Sequence, residues 1–222
     1  RLNPIAGAES LAMPNLLIAM DHAFLQSPEG VFDTLCYDQA FFADYLRAFD
    51  AVEAVSRLAA VENLPPRASR SDRPGLTFRG VPNVHGMRWF LGAKRLAGAQ
   101  ILEACRRADA VVARVPSQLG YLAGCVARRL GKPYMIEVIS DPWSMITQNG
   151  RSVMHRLAAQ REMRRLRSLA LHASVGSYVT SIGLPAAYPI PADRPQDFIS
   201  SLRLPAALLT GPREFLEPPR PL

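Results

Sequence analysis

No run of apolar residues in this chain approaches the roughly 20 needed to cross a bilayer, so a spanning helix is not expected. Its three cysteines, Cys36, Cys105 and Cys125, are far apart and form no Cys-x-x-Cys pair. That excludes the usual zinc and disulfide frameworks and points to a reducing cytosol. No Gly-x-Gly-x-x-Gly follows the first apolar run, which argues against a dinucleotide cofactor. No glycine-rich loop ends in lysine, which argues against a Walker-type nucleotide triphosphatase. Histidines and carboxylates are nowhere spaced as metal ligands, so no metal is expected. No serine or cysteine stands beside an obvious base, so covalent catalysis has little support. The N-terminus shows no signal-peptide pattern, and the chain opens on Arg1 rather than Met, so an upstream segment is expected to be missing.

What is present suits a globular domain. Of 222 residues, 49% are hydrophobic and 20% charged, enough apolar material for a sizeable core. The net charge of +7 is unevenly placed, with six arginines and the single glutamate Glu162 between Arg151 and Arg167. Such a stretch either attracts phosphates, anionic lipid or nucleic acid, or is a solvated helix face. It contains no aromatic residue, which argues against single-stranded nucleic acid.

Asn15–Met20 reads as a buried strand that runs into a loop at Asp21-His22, with Gln26-Ser-Pro-Glu-Gly30 continuing it. A helix is expected over Asp38–Phe49, a strand over Ala51–Leu58, a surface excursion over Asn63–Pro74 and a strand over Leu76–Val81. Phe90–Ala108 carries a helical apolar stripe that ends in Arg106 and Arg107, favourable at the negative end of a helix dipole. Ala110–Val115, Gln118–Leu130 and Pro133–Ser140 then read as strand, helix and strand. So short a crossover implies parallel neighbours in a sheet covered on both faces. A basic helix follows over Ser152–His172, then a strand over Ala173–Thr180. Beyond it, repeated prolines break the pattern, and 206–222 reads as a Pro-rich linker or cut edge, leaving 1–205 as one domain. The expected fold is α/β, a doubly wound, mostly parallel sheet.

In such a sheet ligands collect outside the carboxyl ends of the strands. That rule selects His22 with its loop and Gly30, Arg114 with Ser117, Asp141 with Trp143, and Thr180. His22 could exchange a proton at neutral pH or be structural. Arg114 and the helix start at Ser117 could hold a phosphate; equally, Ser117 is a plain N-cap and Arg114 pairs with a carboxylate. Asp141 and Trp143 could take a sugar between carboxylate and indole, or form a packed turn. Glu137, inside a strand, needs a partner or a proton. His85, in a loop, carries less weight.

The stretches Ala108-Asp-Ala-Val-Val-Ala-Arg-Val-Pro-Ser-Gln-Leu-Gly120, Ala127-Arg-Arg-Leu-Gly-Lys-Pro-Tyr134 and Glu137-Val-Ile-Ser-Asp-Pro-Trp143 resemble the N-terminal half of GT-B glycosyltransferases of family 4. Gly176–Pro189 is similar to the last strand of the same group, and the first hundred residues match it by strand order alone. The resemblance implies two Rossmann-like domains across a cleft, the N-terminal one binding the acceptor and the C-terminal one the nucleotide-sugar. It implies no cofactor, with the nucleotide-sugar as co-substrate, and in many members retention of anomeric configuration. It also implies a glycan or lipid-linked acceptor, surface polysaccharide synthesis, and a cytoplasmic site that would suit peripheral contact with an anionic membrane through Arg151–Arg167. Many members carry a glycine-rich turn where this chain has Ser27-Pro-Glu-Gly30, and a histidine near the position of Arg114. The paired-glutamate donor motif is expected to lie outside these residues, so the chain alone would not turn over. Two other readings stay open: a non-catalytic α/β module that binds through its basic helix, and a fragment of a sugar-nucleotide epimerase or a phosphorylase with the same architecture.

Overall fold

The first apolar run becomes the central strand, because its alternate side chains find apolar partners on both sides. In β1 (Asn15–Ser27), Leu17 and Ala19 enter one core while Leu16, Ile18 and Met20 enter the other. The computed structural model describes residues 14–84, 86, 88–148, 150 and 152–199. The 206–222 tail, the end of the expected domain at 205, His85 and Arg151 lie outside them.

β1 turns back at Pro28-Glu29 into the antiparallel β2 (Gly30–Asp33), which pairs Leu25 with Phe32 and Ser27 with Gly30. The loop expected from Asp21 to Gly30 is therefore a hairpin. Polar residues at its mouth obscured the alternation around the buried Phe24. Helix α1 (Gln39–Tyr45) follows, started by Asp38, whose side chain accepts from the Phe41 N–H, and it stops short of the expected Phe49. Then come β3 (Ala51–Ala60), the short β4 (Ser69–Arg70) that pairs with β2, and β5 (Leu76–Val81). A π-turn over Trp89–Ala93 leads into α2 (Lys94–Arg107), which returns the chain to β6 (Ala110–Val115) on the other flank of β1. Helix α3 (Gln118–Arg129) connects to β7 (Tyr134–Val138). Helices α4 (Pro142–Gln148) and α5 (Val153–Ala170) connect to β8 (Val175–Tyr178), and α6 (Leu184–Ala187) precedes β9 (Gln196–Phe198). α4 stands where a strand-end turn was expected, and β9 lies within the proline-broken stretch.

The parallel part of the sheet runs β5-β3-β1-β6-β7-β8-β9. From residue 14 the chain thus starts in the middle of the sheet, builds outward to one edge, and crosses back to build the other. That is the doubly wound order, and it places a topological switch point between β1 and β6. Ile101 of α2, Leu119 of α3 and Leu166 of α5 pack on one face, and Phe41 and Phe42 of α1 on the other.

Close packing of α3 on β6 depends on Gly120. A Cβ there would lie 2.0 Å from the Arg114 carbonyl oxygen, so the helix could not start where it does. Gly120→Ala should destabilise the fold by at least the ~1–3 kcal/mol typical of overpacking, read from urea unfolding. Parent stability would show that the helix start can shift freely.

Candidate functional site

The switch point opens because β1 is irregular there. Its register with β3 shifts between Ala19 and Ala23, and the Ser56 hydroxyl lies 2.9 Å from the Met20 carbonyl and 2.6 Å from that of His22. Bulges of this kind re-aim side chains, and this one turns Asp21 and His22 out of the ordinary alternation. His22 therefore belongs to a strand rather than to the loop expected after it.

His22 Nε2 lies 2.7 Å from Asp33 Oδ1. Asp33, 1% exposed at the end of β2, accepts from the Leu35 and Tyr37 N–H groups with its other oxygen, at 3.0 and 2.8 Å. Burial alone would raise the Asp33 carboxyl, but the His22 hydrogen bond, the backbone donors and the His22 charge outweigh it and hold it at about 2. An ionised Asp33 can only accept, so in the neutral imidazole tautomer that matches it Nε2 carries the proton and Nδ1 the lone pair. The ring is braced edge-on by Phe24 and Tyr37, at 4.7 and 4.6 Å between centroids.

Because the folded value of Asp33 lies below the ordinary 3.8, its contribution to stability is present above that value and lost as pH falls towards about 2. The stability gap between the parent and Asp33→Asn should therefore close across that window in acid denaturation. A gap that widened there would give Asp33 the opposite linkage.

His22 opens onto a cavity of about 420 Å³, within the usual range for small-molecule sites. Met20, Ile139, Met145 and Ile146 give it apolar walls; Tyr37 and Tyr121 add aromatic surface; Ser117, Gln118 and Glu162 add polar groups. Asp21 also borders it, but that carboxylate is committed. It pairs with the buried Arg57, whose Nη1 donates to the carbonyls of Pro82 and Val84, and it accepts from the Gln118 N–H at 3.2 Å.

Of the two readings of Arg114 and Ser117, a phosphate seat or an N-cap beside a paired arginine, the contacts made are those of the second. The start of α3 already faces a carboxylate from within the chain. Ser117 is its N-cap, accepting from the Gly120 N–H at 2.9 Å and donating to the Arg114 carbonyl at 2.6 Å. Arg114 lies beneath the rim, 2% exposed, with Nη1 3.0 Å from Glu137 Oε1 and Nη2 donating to the Tyr37 hydroxyl. Its guanidinium also lies over the rings of Tyr37 and Phe41. Burial pushes the Glu137 carboxyl up, and the adjacent guanidinium offsets part of that. Arg114 supports the cavity floor and holds Tyr37 in place.

The remaining expected residues stand elsewhere. Asp141 accepts from the Tyr188 hydroxyl and from Ser144 N–H and Oγ, both at 3.0 Å, so it caps α4 rather than offering itself to a sugar. Burial would raise its carboxyl, but these donors keep it below the ordinary range. Trp143, 37% exposed on α4, is outside the cavity lining, although Pro142 and Met145 belong to it. Thr180 donates to the Ile182 carbonyl in a turn. Gly30 serves the hairpin: its φ is 142°, and a Cβ there would meet Asp72 Oδ1 at 2.6 Å. Asp33, Tyr37 and Glu162 were missed from sequence, and only the apolar pair Val31-Phe32 before Asp33 hinted at a strand end. Among the described residues, no three histidines, cysteines or carboxylates gather as metal ligands, and no helix is long and apolar enough to cross a membrane.

No family model matches the chain. It is 24% identical over 145 residues to Protein CapJ of Staphylococcus aureus, covering 65% of this chain and 37% of that protein. Among solved structures it is similar to a UDP-N-acetylglucosamine 2-epimerase, at 10% identity and a TM-score of 0.41, over 76% of this chain and 42% of that one. It is also similar to a UGT transferase from Siraitia grosvenorii in complex with UDP, at 13% identity and a TM-score of 0.40, over 78% and 46%. The chain thus spans less than half the length of each of these. Its own strand order and crossovers make it a doubly wound, Rossmann-like α/β domain with a pocket at the switch point.

Proposed function

We propose that this chain is the acceptor-binding side of a glycosyltransferase that draws its sugar from a nucleotide-sugar. The observation that carries the reading is a histidine fixed by a buried carboxylate at the mouth of a cavity on the switch point. His22 Nδ1 takes the proton of an acceptor hydroxyl as that oxygen bonds to the anomeric carbon of the donor. The bond from that carbon to the diphosphate breaks, and the diphosphate leaves with the electron pair. Asp33 stabilises the imidazolium that forms. The resemblance of Ala108–Trp143 and Gly176–Pro189 to GT-B N-terminal domains supports the donor being a nucleotide-sugar, bound mainly by residues outside this chain. A glycan or lipid-linked sugar is the acceptor, and neither metal nor cofactor takes part.

The test is to incubate the protein, as its gene encodes it, with nucleotide-sugars in the presence and absence of glycan acceptors. The reading predicts nucleoside diphosphate release that requires the acceptor. Interconversion of the nucleotide-sugar without an acceptor would replace it with an epimerase.

A further inference from the structure

We propose that the Glu162 carboxylate accepts hydrogen bonds from hydroxyl groups of the acceptor sugar and so selects which of its hydroxyls faces His22, a role that rests on the chain being an acceptor-binding domain. Glu162 is the sole acidic residue of α5. It follows the buried Ala159 by three residues and precedes the buried Leu166 by four, so it stands on the inward face of the helix. A carboxylate there is costly unless something compensates it. Arg165 does so. Its Nη1 lies 2.8 and 2.9 Å from the two oxygens of Glu162, and its guanidinium rests 4.3 Å from the centroid of the Tyr121 ring. The Tyr121 hydroxyl donates to the Glu162 carbonyl at 3.2 Å and ties the backbone at the same point.

Among the described residues, two carboxylates line the cavity, and they differ in what they have left to give. Asp21 is filled by Arg57 and by the start of α3. Glu162 is held at both oxygens by a single nitrogen. A carboxylate has about four lone-pair sites, so each oxygen keeps one for a ligand. The polar groups around it are spent within the chain: Ser117 and Tyr121 donate to backbone carbonyls, and Arg114 contacts Glu137 and Tyr37. The chemistry of the ligand follows. A cation would have to compete with Arg165 for the carboxylate, and an anion would meet its charge. Neutral hydroxyl groups donate to the remaining lone pairs and leave the ion pair whole, and a sugar carries several of them. His22 lines the same cavity, so the hydroxyls that Glu162 accepts decide which other one can reach Nδ1. Asp141, expected from the sequence to hold a sugar, caps α4, and Glu162 takes that part.

Methyl glycosides of glucose, galactose, mannose and N-acetylglucosamine, each with its monodeoxy forms, are titrated into the chain and followed by nuclear magnetic resonance of its backbone amides. At least one glycoside should bind. One of its monodeoxy forms should bind roughly ten- to a hundred-fold more weakly, the usual worth of a hydrogen bond to a charged group. Glu162→Gln should lose as much with the intact glycoside and nothing further with that deoxy form. The carboxamide oxygen can still accept from Arg165, so the variant should keep the parent melting temperature. If it melts lower, Glu162→Gln with Arg165→Gln, which leaves neither charge unpaired, takes its place under the same outcomes. An equal loss for the intact glycoside and every deoxy form would make Glu162 a structural partner of Arg165 and overturn the proposal. Parent affinity in the variant would overturn it too, and either result leaves the acceptor reading standing. A parent chain that binds none of these glycosides would also overturn it, and acceptor-dependent release of nucleoside diphosphate then decides the acceptor reading by itself.

Discussion

Replacing His22 by alanine is expected to lower kcat/KM for the acceptor by about 10²–10⁴-fold, the usual worth of a positioned general base. On the proposed function the donor is bound mainly outside this chain, so KM for the nucleotide-sugar should stay near its parent value. Asp33→Asn should fall in the same direction for a different reason. A carboxamide can present its N–H₂ to Nε2, which moves the ring proton to Nδ1 and removes the lone pair that receives the acceptor's proton. Since Asp33 is buried and accepts two backbone N–H groups, its thermal melt must be recorded beside its rate. Steady-state kinetics of the full-length protein decide the matter. Parent-level activity in His22→Ala would remove the imidazole from the chemistry, whatever Asp33→Asn does.

The second large effect is on stability. Arg114→Met leaves Glu137 buried in β7 without its cation, and breaking a buried pair from one side typically costs about 3–5 kcal/mol. The same change frees the Tyr37 hydroxyl that Arg114 Nη2 contacts at 3.2 Å, so the cavity floor should loosen as well. Arg114→Met combined with Glu137→Leu removes both charges and should recover most of the loss. Urea unfolding of the two singles and the double completes the cycle. A double variant no more stable than Arg114→Met would mean that the ion pair matters less than the stacking of Arg114 on Tyr37 and Phe41.

The middle of the parallel sheet was legible because the first half of β1 and all of β6 are nearly unbroken apolar runs, and the crossover from β6 through α3 to β7 carried its own start and stop signals. The parallel edge strand β9, Gln196-Asp197-Phe198, carried none. The antiparallel additions, β2 and β4, were not legible either. They are short, begin or end in polar residues, and exist because the far end of β1 extends past its pairing with β6. The site shared that fate. Rules about strand ends selected His22, Arg114 and Ser117, and all three border the cavity. They could not tell a side chain that faces the cavity from one that holds it up. Asp21 sits beside His22 in sequence, yet one is consumed by Arg57 and α3 while the other is held by Asp33 at the cavity lining. The bulge at Met20–His22 and the hairpin that brings Asp33 to His22 decide this, and both depend on partners distant in the chain. Asp141 and Trp143 misled because a helix begins there, so the carboxylate became a cap.

The most direct measurement is nuclear magnetic resonance of the imidazole ring of His22 in the chain, assigned with His22→Gln. Alkyl glycosides and oligosaccharides should shift it, with Asp33 still ionised, whereas a nucleotide-sugar alone should leave it unmoved. A ring that responds to the nucleotide-sugar and ignores every glycoside would place the donor, not the acceptor, at the switch point and contradict the account.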